Sequence, residues 1–283
     1  MKITALLEND RLPHRPDLRA EHGVSLHITW GDRSILFDTG ASDAFAENAG
    51  QLGVSIADVT HAVLSHYHYD HGGGLERFFA ENDHAPLFLR PPPAGQGFGR
   101  VLGGLITKPV DIDRALLDAH AARLVHVEHR QELAPGAVLL TDIGRAHPLP
   151  PGNQRLFLKV NGAFVPDPFE HELLLVLVQD SGLVVLTGCS HRGILNMVDA
   201  VMDAFPDTPI RALLGGFHLI GLPVVNTMAG SREEVAEIGR RLAYRKIERI
   251  YTFHCTGPKA YRVLHDVLGD RLAPFPTGST LEL

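Results

Sequence analysis

The sequence is short of several things, and each shortage excludes a class of protein. Only two cysteines occur among 283 residues, Cys189 and Cys255. That rules out a disulfide-stapled scaffold and suggests a reducing compartment. Basic residues number 26 against 33 acidic ones, for a net charge of −7, which argues against a nucleic-acid binder with a broad basic surface. Aromatic residues are few, at 7%. The longest strongly apolar run, Leu173 to Val178, is far below the ~20 residues of a membrane helix. Ile3 to Leu7, followed by Glu8, Asn9 and Asp10, is too short for a signal-peptide core and lacks a small-residue cleavage site. The expectation is a cytoplasmic globular protein with no membrane or nucleic-acid partner. A chain of this length buries roughly three quarters of its unfolded surface, so it needs no staple to fold. Neither a repeat nor an oligomerisation signal is evident.

What the chain does have is histidine, 17 in all, the commonest metal ligand. Their placement follows the predicted strands. Residues 1–8, Val24 to Trp30, Ser34 to Phe37 and Val59 to Ser65 read as strands, with a hairpin at Gly31-Asp32. Ser42 can cap a helix to about Asn48, and Leu75 to Glu81 reads as another. Residues 86–110, with Pro91-Pro92-Pro93, read as loop or hairpin, and the Pro- and Gly-rich stretch 142–171 as a long functional loop. Leu173 to Val178, Leu183 to Leu186, Ile210 to Leu214 and Ile247 to Phe253 are further strands. Between and after them come helices from Ile194, from Ser231 with its capping-box Glu234, and from Pro258. Hairpins in both halves predict a layered α/β protein with antiparallel or mixed sheets.

Three predicted strands end in histidine: Ser65-His66, Phe217-His218 and Phe253-His254. A fourth, Thr187-Gly188-Cys189-Ser190-His191, does so shortly after its end. Such strand ends are where α/β enzymes build sites. The densest segment is His66-Tyr67-His68-Tyr69-Asp70-His71, followed by Gly72-Gly73-Gly74. His66 and His68, two apart, can face one metal ion. Asp70 and His71 can face a second about 3.5–4 Å away, Asp70 serving as ligand and catalytic carboxylate. Nitrogen ligands with one carboxylate suit zinc, with iron and manganese as alternatives. The glycines are expected to let the chain turn behind the ligands. Asp38 can orient a ligand histidine, and Tyr67 and Tyr69 either gate the site or pack.

This motif resembles that of the metallo-β-lactamase superfamily, and Ile35-Leu36-Phe37-Asp38-Thr39-Gly40 resembles the strand and turn that precede it. The resemblance spans nearly the whole chain. It implies a single domain over 1–283, a four-layer αβ/βα sandwich of two mixed sheets flanked by helices, and a dinuclear site at one edge. Cys189 stands where many members carry a metal-bridging aspartate. More narrowly, Glu21-His22-Gly23, Gly188-Cys189-Ser190-His191, Gly215-Gly216-Phe217-His218 and His254-Cys255-Thr256-Gly257 resemble the subgroup related to the archaeal dihydropterin–ribofuranosylaminobenzene phosphate synthase. By that resemblance His191 joins His66 and His68 on one ion, and His254 joins Asp70 and His71 on the other. Cys189 ligates, bridges or stands behind the ligands. His218 is read as a substrate contact or a support behind them, and Cys255 as packed.

The chemistry implied is attack of metal-activated water on an ester, amide, lactone or phosphoester of a small molecule. The subgroup implies an alternative, a joining of pterin and aminobenzoate with loss of diphosphate. Arg145 and His147, with Arg155 and Lys159, are the candidate substrate-binding charges. A non-catalytic metal-binding sensor is the third reading; it would need a site closed by protein ligands.

Overall fold

The hairpins read from the sequence form one end of each of two seven-stranded sheets, and parallel strands form the other. The protein is described by a computed structural model covering residues 1–101, 104–221 and 227–283. It divides into two compact units: Met1–Pro92 with Val110–Val127 and Phe275–Leu283, and Pro93–Pro109 with Glu128–Pro274. No helix among the described residues is long and apolar enough to cross a membrane.

In the first unit the strand order is Thr280–Glu282, Lys2–Leu7, Ser25–Trp30, Arg33–Phe37, His61–Val63, Leu87–Leu89, Leu124–His126. The first four pair antiparallel, the rest parallel. Helices Ala44–Gln51 and Leu75–Glu81 bury Phe45 and Phe78 in a core shared with Leu6, Leu36 and Leu64. Asn48 fixes the entry segment, donating to the carbonyls of Leu6 and Arg19 and accepting from the Arg19 N–H.

The second unit repeats this plan. Its large sheet runs Leu272–Pro274, Ile247–Thr252, Ile210–Gly215, Gly182–Thr187, Leu174–Gln179, Ala137–Leu140, Gln131–Ala134. The first four strands are parallel and the last three join antiparallel. Helices Ile194–Ala204, Arg232–Ala243 and Pro258–Leu268 contribute Val198, Val235 and Leu264 to its core. The capping box at Ser231 and Glu234 is present in full.

Two expectations change. The stretch 142–171 is not one loop: Leu156–Val160 and Ala163–Pro166 form a hairpin that joins Gln96–Val101 and Ile106–Pro109 in a four-stranded antiparallel sheet. The flanking prolines and glycines hid two short strands with alternating apolar residues. Leu102 and Gly103, inside the predicted 86–110 segment, lie outside the described residues. The second change concerns the glycines after the histidine motif. Gly73 (φ −66°) and Gly74 (φ −85°) have ordinary backbone angles. Glycine is required there by close approach, since a Cβ would lie 2.4 Å from the Ala41 carbonyl oxygen at 73 and 2.4 Å from that of Thr39 at 74.

Candidate metal centre

Each candidate ligand follows the carboxyl end of a parallel-paired strand, where turns carry side chains beyond the sheet. In the first unit Arg33–Phe37 leads into Asp38, and His61–Val63 leads through Leu64-Ser65 into His66. Asp38 has φ 58°, an uncommon conformation tolerated by Asp. Its buried carboxylate takes three contacts: the Ser65 N–H donates to Oδ1 at 2.7 Å, the Ser65 hydroxyl to Oδ2 at 2.8 Å, and His71 Nδ1 lies 2.7 Å from Oδ2. A carboxylate only accepts, so His71 carries its proton on Nδ1. The Ser65 hydroxyl spends its proton on Asp38, so its oxygen accepts from His66 Nδ1 at 2.9 Å. In both rings the lone pair is thereby set on Nε2. The His66 ring centroid lies 4.6 Å from that of His68 and 4.2 Å from that of His71. His68 stands at the N-terminal boundary of a four-residue helical turn, Tyr69–Gly72, that carries Asp70 and His71.

His22, a residue given no role from sequence, places Nε2 3.3 Å from Asp70 Oδ2. Its only signal was the Glu21-His22-Gly23 segment. Gly23 cannot carry a side chain, because a Cβ there would lie 2.6 Å from the Asp70 carbonyl oxygen. Tyr67 packs: it is buried, its hydroxyl donates to the Arg90 carbonyl at 2.6 Å, and burial holds its pKa well above the ordinary range. Tyr69 is 43% exposed.

In the second unit three strand ends are bonded together. The Gly216 N–H donates to the Gly188 carbonyl, Thr252 Oγ1 to the Gly215 carbonyl, and the Phe217 N–H to Thr256 Oγ1. Ser190, His218 and His254 all have positive φ, 56°, 47° and 52°. Within this unit Cys189 Sγ lies within 4.8 Å of a ring nitrogen of His191 and of one of His254. It also lies within that distance of a ring nitrogen of His218 and of Cys255 Sγ.

His191 is the most closely held of these. Asn153 donates from Nδ2 to the His191 carbonyl at 2.8 Å, which turns its Oδ1 toward His191 Nδ1 at 3.0 Å. The ring proton therefore sits on Nδ1 and the lone pair again on Nε2. Phe169 stacks on the ring, with centroids 4.1 Å apart and planes 5° from parallel. The backbone N–H groups of His191 and Arg192 donate to the two oxygens of Glu172, each at 2.8 Å. Burial pushes the Glu172 carboxyl up to about 7, against the pull of those two donors. The His218 ring lies 4.2 Å from the His191 ring. Asn153, Phe169 and Glu172 were not read as site residues; Phe169 and Glu172 fall in the segment Asp167 to Glu172, which resembles the synthase subgroup and was the only hint.

The remaining candidates lie elsewhere in this unit. His147 Nε2 is 2.7 Å from Asp199 Oδ2, and Arg245 and Arg241 contact the same imidazole at 3.1 Å. Arg145 is exposed, 3.5 Å from Glu170. A cavity of about 460 Å³ is lined by Leu149, Ile194, Phe217 and Leu219 and by charged residues that include Glu237 and Arg241. Its walls include the residues flanking His218.

The donor set fits divalent metal. Ligating histidines characteristically bond their second ring nitrogen to a carboxylate, carbonyl or comparable acceptor, and His66, His71 and His191 all do so through Nδ1. Imidazole, carboxylate and thiolate together suit zinc or a similar borderline ion.

Comparison with known proteins gives the following. A sequence model of the metallo-beta-lactamase superfamily matches residues 22–192, more than half of the chain. A curated relative from Methanocaldococcus jannaschii, 7,8-dihydropterin-6-methyl-4-(beta-D-ribofuranosyl)-aminobenzene-5'-phosphate synthase, is 29% identical over 92% of this chain and 89% of its own. An uncharacterised protein of the same organism is 25% identical over 85% of this chain and 86% of its own. Among solved structures, the metal-dependent hydrolase of the beta-lactamase superfamily Tm1679 matches with a TM-score of 0.82 and 28% identity, covering 100% of this chain and 99% of that one. Zn(2+)-bound PqqB from Methylobacterium extorquens shares the fold at a TM-score of 0.57 and 13% identity, with all of both chains covered.

Proposed function

Because this chain belongs to the metallo-β-lactamase superfamily, we propose that it is a metal-dependent hydrolase acting on an ester, lactone or phosphoester of a small molecule. In this reading His66, His68 and His191 would hold one ion and Asp70, His71 and His254 the other, with Cys189 as a further candidate ligand. Divalent ions held there would supply a water of lowered pKa and polarise the carbonyl or phosphoryl oxygen under attack.

The chain's own residues have defined tasks. Asp38, through Ser65 and directly, keeps the Nε2 lone pairs of His66 and His71 available. Asn153 and Glu172 do the same for ring and backbone at His191. His22 holds the Asp70 carboxylate in orientation.

The observation that carries this reading is the bonding of His66, His71 and His191 through Nδ1, which orients three rings with Nε2 as the ring nitrogen of ligand type. Turnover of generic phosphodiester and lactone substrates by metal-loaded protein tests it. Loss of activity with chelator and recovery with zinc, manganese or iron is expected; chelator-insensitive turnover would contradict it.

A second reading, transfer in place of hydrolysis, is favoured by the 29% identity to the archaeal synthase over 92% of the chain. It predicts formation of the compound in that enzyme's name, and incubation with a dihydropterin and the aminobenzene ribofuranosyl phosphate partner distinguishes the two.

A further inference from the structure

Cys255 has no task in the proposed hydrolysis, yet the chain places its sulfur beside that of Cys189. The two Sγ atoms lie within 4.8 Å of each other. Both residues are buried, and with Ile220 they form a separate apolar cluster. The His218 N–H donates to Cys255 Sγ at 3.2 Å, and Cys255 Sγ lies 3.6 Å from the Cys189 carbonyl oxygen. Glycine at 216 lets the chain pass close to this pair, since a Cβ there would lie 2.5 Å from Cys255 Sγ. Each cysteine adjoins a turn residue of positive φ, Ser190 beside Cys189 and His254 beside Cys255.

We propose that Cys189 and Cys255 are an oxidant-sensitive dithiol that closes to an intrachain disulfide when the protein meets a peroxide. A disulfide needs its sulfurs about 2.05 Å apart and its Cβ atoms about 3.8 Å apart. The two sulfurs, within 4.8 Å of each other in one cluster, have to close the remaining distance to form the bond. In the first step the Cys189 sulfur attacks one oxygen of hydrogen peroxide. An S–O bond forms, the O–O bond breaks, and the second oxygen leaves as water with the thiol proton. In the second step the Cys255 sulfur attacks the Cys189 sulfur. The S–S bond forms, the S–O bond breaks, and the hydroxyl leaves as a second water with the Cys255 proton. Two thiols are oxidised by two electrons in total and the peroxide is reduced. A nearby resolving thiol keeps a sulfenic acid from irreversible oxidation.

The dithiol rests on the sulfurs alone. Its consequence rests on the proposed function: a disulfide withdraws Cys189 from the metal ions, so oxidation releases metal and reduction permits its return.

The test treats metal-stripped and zinc-loaded full-length protein with hydrogen peroxide, and follows free thiols, intact mass and bound zinc. In stripped protein both thiols should disappear together. The mass should fall by two hydrogens, the chain should stay monomeric on a non-reducing gel, and dithiothreitol should restore both thiols. Cys255→Ser should instead gain oxygen at Cys189, and Cys189→Ser should keep its remaining thiol. Oxygen addition without loss of two hydrogens in the wild type, disulfide-linked dimers only, or two intact thiols after excess peroxide would each overturn the proposal. Zinc lost in step with the thiols supports the place of Cys189 in the metal site. A disulfide formed with all zinc retained upholds the dithiol and overturns that place.

Discussion

Asp38 Oδ2 and His71 Nδ1 lie 2.7 Å apart, with both side chains fully buried. The same carboxylate takes the Ser65 hydroxyl, so one residue at a strand end aligns two candidate ligands, His71 directly and His66 through Ser65. Replacing it by asparagine keeps the shape but puts a donor or a weaker acceptor opposite these groups. Groups of this kind typically contribute 10–100-fold in metal affinity. Asp38→Asn should therefore weaken metal binding by roughly that factor, read by competition with a chromophoric chelator. Unchanged affinity would remove Asp38 from the site.

Asn153 makes a parallel prediction for His191. Asn153→Leu removes the acceptor for Nδ1 and the donor to the His191 carbonyl, and should lower metal affinity on the order of 10-fold or more. Asn153→Asp keeps the acceptor and loses only the donor, so it should fall less. Equal losses in the two variants would mean that Asn153 acts through the fold and not through the ring.

Two glycines separate close approach from backbone freedom. At Gly74 a Cβ meets the Thr39 and Ser42 carbonyl oxygens and Phe45, and at Gly50 it meets nothing within 4 Å. Gly74→Ala should destabilise by about 1–3 kcal/mol as an overpacked site. Gly50→Ala, inside the helix Ala44–Gln51, should stabilise by about 0.4–1 kcal/mol. Urea unfolding midpoints read both, and a neutral Gly74→Ala would refute the tight approach behind the histidine motif.

His27 gives a pH dependence. Burial, aided by the charge of Lys2, lowers its pKa to about 4, and its Nε2 lies 2.7 Å from the Ser34 hydroxyl. The folded chain keeps this ring neutral down to about pH 4, whereas the unfolded chain protonates it below about 6.5. Between those values the unfolded state holds more protons, so stability falls as pH falls. The contribution is fully present above about pH 6.5 and lost by about pH 4, at most about 3 kcal/mol. Chemical denaturation at pH 7 and pH 4.5 should show a smaller loss for His27→Gln than for the wild type. Identical losses would contradict the buried neutral ring.

Much of the fold was legible because its signals are local. The capping box at Ser231, Pro258 at the start of its helix and the strands around Gly31-Asp32 all appear where short-range chemistry placed them. The strands Leu156–Val160 and Ala163–Pro166 were not read, since they are short; the first pairs with Gln96–Val101 some sixty residues away, and the local hairpin between the two was overlooked among the flanking prolines and glycines. The site shows the same division. The spacing from His66 to His71 is visible in any extended segment, and the strand-end histidines follow from the hydrophobic runs before them. The supports are long-range: Asn153 reaches His191 across 38 positions, Glu172 across 19, and Asp38 reaches His71 across 33. No local pattern marks an asparagine in a turn as the partner of a distant imidazole. The glycines after the motif were identified as necessary, but for the wrong cause, because neighbouring chain and not backbone torsion excludes their side chains.

The most direct test of the metal-dependent reading is the metal content of purified, reconstituted protein, measured by elemental analysis beside a His66→Ala, His68→Ala double variant. The expected result is close to two ions per chain in the wild type, with a clear loss in the variant. A wild-type chain that binds no metal after careful loading, or a double variant that binds as much as the wild type, would contradict it.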